Sequence, residues 1–129
     1  MQNLVKEQSS PVIPVLEGIV VVPMIGTYDK DRAEDLVVNI LNGLGKHKAH
    51  FLLLDLTGLK GISEYTSALI FKLGSAANLL GTEVILVGIT PELAIVIIEN
   101  MTSLRKFECL QTLQHGIYYA LGKSGRSIV

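Results

Sequence analysis

Hydrophobic positions in this chain follow two different periods, and the points where the period changes predict the boundaries of its elements. Near the start, two apolar runs rich in β-branched residues, 12–16 and 18–25, flank Glu17 and Gly18. Short apolar runs joined by a tight turn are typical of a β-hairpin. The first two elements are therefore predicted to be antiparallel strands.

A helical period follows the hairpin. From Asp29 onward, apolar residues recur three and four positions apart, at Leu36, Val37, Ile40, Leu41 and Leu44. This spacing predicts a first helix from Asp29 to about Lys46, with Asp29 as its cap. Gly43 and Gly45, close to its end, are expected to stop the helix.

The next run, 51–56, is apolar except for Asp55 and is typical of a strand buried on both faces of a parallel sheet. We expect this strand at the centre of the sheet. The remaining pattern predicts a helix opening at Ser63 and then, in order, a strand (84–89), a helix (91 to about 100), an edge strand (107–110) and a last helix (113–121). The predicted fold class is α/β, a single domain whose mixed sheet of four to five strands is flanked by about four helices.

Composition agrees with one globular domain. The chain has 129 residues, is 49% hydrophobic and carries a formal charge of -1. A balance so near neutral gives no electrostatic footprint for nucleic acid or an anionic membrane, and its apolar runs are too short to span a bilayer. Residues 1–10 are predicted to be a flexible leader, 11–122 the domain, and 123–129 a C-terminal tail.

Few residues offer catalytic or metal chemistry. The single cysteine, Cys109, excludes an internal disulfide and fits a reducing, cytoplasmic compartment. The three histidines are scattered along the sequence, so no metal site is predicted. The sequence also lacks the common phosphate-loop, dinucleotide and hydrolase motifs. We therefore predict neither a cofactor nor an enzymatic activity.

Three motifs, in order along the chain, resemble one known family. The segments 11–15 and 23–26 carry the first, Asp55-Leu56-Thr57-Gly58 leading to Ser63-Glu64 the second, and Val87-Gly88-Ile89-Thr90-Pro91-Glu92-Leu93-Ala94 the third. On these motifs the chain resembles the STAS domain family, named for sulfate transporters and anti-sigma factor antagonists. Within the family it resembles the RsbR-type co-antagonists of the stressosome, with the RsbS type as second choice. The resemblance covers roughly residues 10 to 122.

The resemblance implies a non-enzymatic signalling module. Such domains assemble with STAS paralogues into a core that captures a serine/threonine switch kinase and releases it after phosphorylation. The expected partners are these paralogues, the kinase, and further copies in a homodimer or higher assembly, without nucleic acid or membrane. RsbR-type chains usually carry an N-terminal sensor domain, and only about ten residues precede the module here. Either a sensor has been removed or the chain is a stand-alone member.

The family's phosphoacceptor positions carry no hydroxyl in this sequence. By the resemblance, the first position falls on Glu64, after Ser63, and the second falls on Val96. Glu64 carries a permanent charge, so it either imitates the modified state or only stabilises the helix start. A one-residue slip would make Ser63 the acceptor, although Ser63 is also a good helix cap. If neither position can be modified, control would move to paralogues or to Thr66, Ser67 or Thr90.

The same region is expected to carry partner binding. The residues assigned to that surface are Gly58, Lys60, Gly61, Ile62, Tyr65, Thr66 and Ser67. A second group at the strand ends is assigned to loop structure and comprises Asp55, Thr57, Thr90, Pro91 and Glu92. Asp55, Thr57 and Thr90 also support an alternative, a regulatory domain that binds a small ligand or a nucleotide. A hydrolase built on Asp55, Ser63 and a histidine is a weaker third hypothesis.

Overall fold

The computed structural model describes residues 11–125. They form an α/β fold of five strands and four α-helices, as predicted. In chain order the elements are β1 (Ile13–Leu16), β2 (Ile19–Gly26), α1 (Lys30–Lys46), β3 (Phe51–Leu59), α2 (Glu64–Leu79), β4 (Glu83–Val87), α3 (Pro91–Asn100), a 3-10 helix (Thr102–Lys106), β5 (Glu108–Cys109) and α4 (Leu113–Lys123). The predicted leader, 1–10, lies outside the described residues, as does 126–129 of the predicted tail.

The five strands form one mixed sheet in the order β1-β2-β3-β4-β5. Strand β1 runs antiparallel to β2, whereas every other neighbouring pair is parallel. Strand β3 therefore lies at the centre, as its continuous apolar sequence predicts. Because β2, β3 and β4 are parallel, the loops that follow them leave from one edge of the sheet.

Side chains alternate between the two faces of the central strand. Leu52, Leu54 and Leu56 belong to the larger core cluster, which also contains residues of α1, α2 and α3. Phe51 and Leu53 belong to a smaller cluster with residues of α4. Three helices thus cover one face of the sheet and one helix covers the other, which explains why β3 carries no polar alternation.

Helix α1 ends at Lys46 as predicted, but the role of its glycines and the end of β4 differ from the sequence prediction. Helix α1 continues through Gly43 and Gly45 to Lys46, so the expectation that these glycines end it is wrong. A Cβ atom on Gly43 would lie 2.7 Å from Val12 Cγ2, so this glycine lets the chain before β1 pack closely on the helix. Strand β4 ends at Val87 rather than at residue 89, because Gly88 turns the backbone with a φ of 78°.

Candidate functional site

The start of helix α2 is fixed by its capping residue. Ser63 is extended, with φ -88° and ψ 171°, and its Oγ accepts a hydrogen bond from the amide of Thr66 at 3.1 Å. The same hydroxyl donates to Oγ1 of Thr66 at 3.3 Å. Ser63 is therefore the N-cap that its chemistry predicts, and its side chain is exposed to solvent.

Helix α2 presents a negative charge at its first position. Glu64 is the first residue of the helix, and both Glu64 and the following Tyr65 are exposed. Carboxylates are favourable in this place, because the first turn has free amides and the positive end of the helix dipole. The position that the resemblance assigns to the switch is thus on the surface, at the carboxyl edge of the sheet.

A compact polar contact lies within β3, directly against the glycine that follows β4. Oδ1 of Asp55 accepts from the amide of Thr57 at 3.0 Å and from its hydroxyl at 2.7 Å. A Cβ atom on Gly88 would lie 2.4 Å from Thr57 Oγ1 and 2.7 Å from Asp55 Oδ1. Asp55 and Thr57 therefore bond each other within β3, against a glycine that follows the neighbouring strand, so the expectation that Thr57 lies in a loop after the strand is wrong.

A cavity of about 270 Å³ lies between this contact, the loop before α2 and the start of α3. Its lining residues include Thr57, Ile62, Thr90, Glu92 and Val96. Thr90 caps α3, with its hydroxyl accepting from the amide of Leu93 at 3.1 Å, and Pro91 occupies the first turn. The structure therefore brings Val96 to the same cavity as Ile62, two residues before Glu64.

The residues predicted to bind a partner fall into an exposed group and a buried group. Gly58, Lys60, Gly61 and Tyr65 are exposed and Ile62 is half-buried. Thr66 and Ser67, in contrast, are only 5% and 7% exposed. Both side chains face into the fold, which corrects their assignment to the binding surface and makes them unsuitable as alternative acceptors. The exposed candidates remain at the end of β3, on the loop that follows it and on the first turn of α2.

The loop between β2 and α1 adjoins this surface, which the sequence did not indicate. The amide of Lys60 donates to the carbonyl of Gly26 at 3.0 Å. Arg32 donates to the carbonyl oxygens of Ile25 and Thr27, and its guanidinium carbon lies 4.3 Å from the centre of the Tyr28 ring. A cation four residues after an aromatic residue at a helix start is the local signal that could have revealed this contact.

The residues outside this region offer little reactive chemistry. Burial, followed by the nearby charge of Glu108, raises the pKa of the Cys109 thiol, so the less reactive neutral form is favoured. Across 11–125, no three histidine, cysteine, aspartate or glutamate side chains are grouped so that they could hold a metal ion. No helix within that range is long and apolar enough to cross a membrane.

Comparison with known sequences identifies the domain, because residues 10–116 match the profile of the STAS domain. The chain belongs to the STAS domain family. It is 38% identical over 124 residues to the RsbT co-antagonist protein RsbRA of Bacillus subtilis (strain 168). The alignment covers 96% of this chain and 45% of RsbRA, so the chain spans less than half the length of that STAS protein.

Two solved STAS structures share the fold. A serine-to-glutamate variant of RsbS from Moorella thermoacetica matches with a TM-score of 0.76 and 23% identity, covering 89% of this chain and 97% of that chain. A chain of the stressosome, described as a signal integration and transduction hub, matches with a TM-score of 0.70 and 21% identity. The second match covers 91% of this chain and 100% of the other. Both comparisons show the STAS fold.

Proposed function

We propose that this STAS domain is a non-enzymatic signalling module of the anti-sigma factor antagonist type, which joins a stressosome-like assembly in the bacterial cytoplasm. In this assembly it controls the capture or release of a serine/threonine switch kinase by exchange of partners. The observation that carries the proposal is the exposed start of α2, where Ser63 and Glu64 stand at the position that the resemblance assigns to the switch. The relationship to RsbRA, named for its action as an RsbT co-antagonist, supports the choice of partner.

The charge of Glu64 gives this surface a physical means of controlling a partner. A phosphate carries about -1.5 to -2 at neutral pH, so a glutamate supplies a large part of the same charge. A protein packed against the helix start would have to remove water from that carboxylate, which is costly unless it offers a matching cation. Glu64 therefore holds the domain in the state that binds the kinase weakly.

The residue at position 96 supports the hypothesis that this domain is not phosphorylated at the family's second acceptor position. Val96 is half-buried and lines the cavity beside Ile62. A valine side chain cannot accept a phosphate, and it contributes an apolar wall to a cavity that a charged group would disrupt. Within this proposal, modification of paralogues supplies the signal that this chain does not receive.

The proposal predicts that neutralising Glu64 strengthens kinase binding. The purified chain is immobilised and titrated with the switch kinase of the same bacterium, as wild type and as Glu64→Gln. We expect binding at least about tenfold tighter for the variant, which corresponds to about 1.4 kcal/mol of avoided desolvation. Glu108→Gln, at the exposed edge strand β5, is the matched control and is expected to leave the affinity unchanged.

Equal kinase affinity of the wild type and Glu64→Gln would contradict the hypothesis that Glu64 imitates a phosphorylated residue. Failure of both chains to bind the kinase, together with no recovery of STAS paralogues from a lysate that contains them, would overturn the proposed function itself. Uptake of labelled phosphate tests the remaining alternative, in which the kinase phosphorylates Ser63. If Ser63 is the acceptor, Ser63→Ala abolishes the uptake, and unchanged uptake excludes Ser63.

The cavity at the strand ends favours one alternative function, binding of a small ligand or nucleotide. However, two of its polar groups already have partners within the chain, since Thr57 bonds Asp55 and Thr90 bonds the amide of Leu93. A ligand would have to displace these contacts. A thermal-shift panel of nucleotides and anions tests the alternative, because a ligand at about 100 times its Kd adds about 2.7 kcal/mol to the stability. No shift with any member of the panel excludes those ligands.

A further inference from the structure

An apolar groove separates helices α1 and α2 on the outer side of the helical layer. Its volume is about 670 Å³, and its walls include Lys30, Val37 and Val38 of α1 and Tyr65, Ala68 and Lys72 of α2. Val38 is 60% exposed and Tyr65 is 47% exposed. We refer to this feature as the α1–α2 groove.

A stripe of residues on α3 is complementary to the α1–α2 groove in shape and charge. Ile95 and Ile98 are 58% and 55% exposed and lie three residues apart, so they share one face of the helix. Glu92 and Glu99 are exposed along one side of these isoleucines, and α3 contains no lysine or arginine. These four residues form the α3 stripe, an apolar ridge with an acidic border.

The dimensions of groove and stripe agree. On the α2 wall, Tyr65 and Lys72 lie seven residues apart, and Glu92 and Glu99 have the same separation on α3. Seven residues of helix rise about 10 Å, so the phenol and the ammonium can each meet one carboxylate. Across residues 11–125, Lys72 and the two glutamates take part in no ion pair within the chain.

We propose that the α3 stripe of one copy of this chain packs into the α1–α2 groove of a second copy. The charges favour this occupant, because an acidic, apolar helix meets a groove whose walls carry two lysines, Lys30 and Lys72, against one carboxylate, Glu34. Each copy carries both halves of the contact on the same face of its sheet, since α1, α2 and α3 contribute to one core cluster. A two-fold axis can therefore use both contacts at once and close a dimer.

This inference extends the proposed function, which requires assembly but leaves its surface unspecified. The groove shares Tyr65 with the predicted partner surface but continues along α2 to Lys72, so a substitution at Lys72 changes assembly and leaves the proposed kinase contact intact. They can consequently be tested separately. A Lys72→Glu chain that no longer self-associates but still binds the kinase would leave the proposed function intact.

Charge reversal tests the contact in sedimentation velocity on the 129-residue chain, over a series of concentrations from micromolar to submillimolar. The groove variant is Lys72→Glu, and the stripe variant combines Glu92→Lys with Glu99→Lys. We expect the wild type to self-associate and each variant to do so at least about tenfold more weakly, because like charges then face each other. An equimolar mixture of the two variants is expected to recover association, since both contacts of the mixed dimer then join opposite charges.

Two controls define the outcome. Lys46→Glu makes the same charge change at the other end of α1, and Ile13→Ser removes an exposed apolar side chain from β1. Both are expected to associate like the wild type. If the stripe variant is unfolded by circular dichroism, Glu99→Lys alone replaces it, since a lysine in the last helical turn suits the dipole.

The inference is overturned if the wild-type chain is monomeric throughout the concentration series. It is also overturned if the groove and stripe variants associate as strongly as the wild type, or if their mixture fails to recover association. Loss of association in Ile13→Ser, with the charge variants unaffected, would assign the contact to β1 instead.

Discussion

At the residue scale, single contacts between neighbouring loops define the candidate site. Gly88 is the clearest example, because it combines a φ of 78° with a position directly against Thr57 Oγ1 and Asp55 Oδ1. The sequence pattern predicts a strand that continues through Gly88, so it shows neither the turn there nor that the glycine faces a polar pair on another strand. Similarly, sequence position alone does not distinguish Thr66 and Ser67 from the accessible Tyr65. Only the rotation of α2 on the sheet shows that they are buried.

We predict that Gly88→Ala lowers the stability by at least about 2 kcal/mol. An alanine would have to adopt a left-handed backbone, and its Cβ would overlap the Asp55 and Thr57 oxygens. Gly81→Ala is the control, because Gly81 has a φ of 84° but no atom within 4 Å of an added Cβ. Urea denaturation measures both, and the difference between them isolates the contact. Equal losses would show that only the backbone conformation matters.

At the scale of elements, local chemistry is a good guide to where helices begin. Short polar residues at Asp29, Ser63 and Thr90 predict three helix starts, and all three accept the expected amide hydrogen bond. The ends of elements are less predictable, because they depend on contacts with distant parts of the chain. Gly43 remains helical against Val12, and β4 stops where Gly88 meets β3. A sequence pattern contains neither contact.

We predict that Ser63→Ala lowers the stability by about 1 kcal/mol, since the amide of Thr66 loses its acceptor. Ser63→Asn and Ser63→Asp should retain most of the stability, because both side chains can accept the same hydrogen bond. Chemical denaturation of the three variants checks this. A loss as large for asparagine as for alanine would mean that the capping bond is not what Ser63 contributes.

At the scale of the whole molecule, the sheet separates a thick layer of three helices from a single helix, α4. The close approach of α4 depends on Gly116, where a Cβ atom would lie 2.6 Å from Val87 Cγ1 and 3.0 Å from Leu53 Cδ2. The sequence correctly predicts α4, the parallel strands and the family, because each rests on a local pattern or motif. The distance between layers is not encoded locally, since it follows from which side chains meet.

We predict opposite effects for two substitutions in α4. Gly116→Ala is expected to destabilise the fold by about 1–3 kcal/mol through overpacking, net of the better helix propensity of alanine. Gly122→Ala has open space around the added methyl group and should stabilise it by up to about 1 kcal/mol. Thermal denaturation of both variants measures the contrast. A gain of stability in Gly116→Ala would show that α4 can move away from the sheet at no cost.

The cavity shared by Ile62 and Val96 links two positions that are 32 residues apart in sequence, 64 and 96. A larger or charged side chain at position 96 would push against the loop that precedes α2. The position of the carboxylate at residue 64 would then change as well. The effects of substituting both positions will then not add, and a double-mutant cycle on kinase affinity should give an interaction energy of about 0.5 kcal/mol or more. In a STAS domain with acceptors at both positions, this geometry would make the two modifications one graded signal rather than two independent ones.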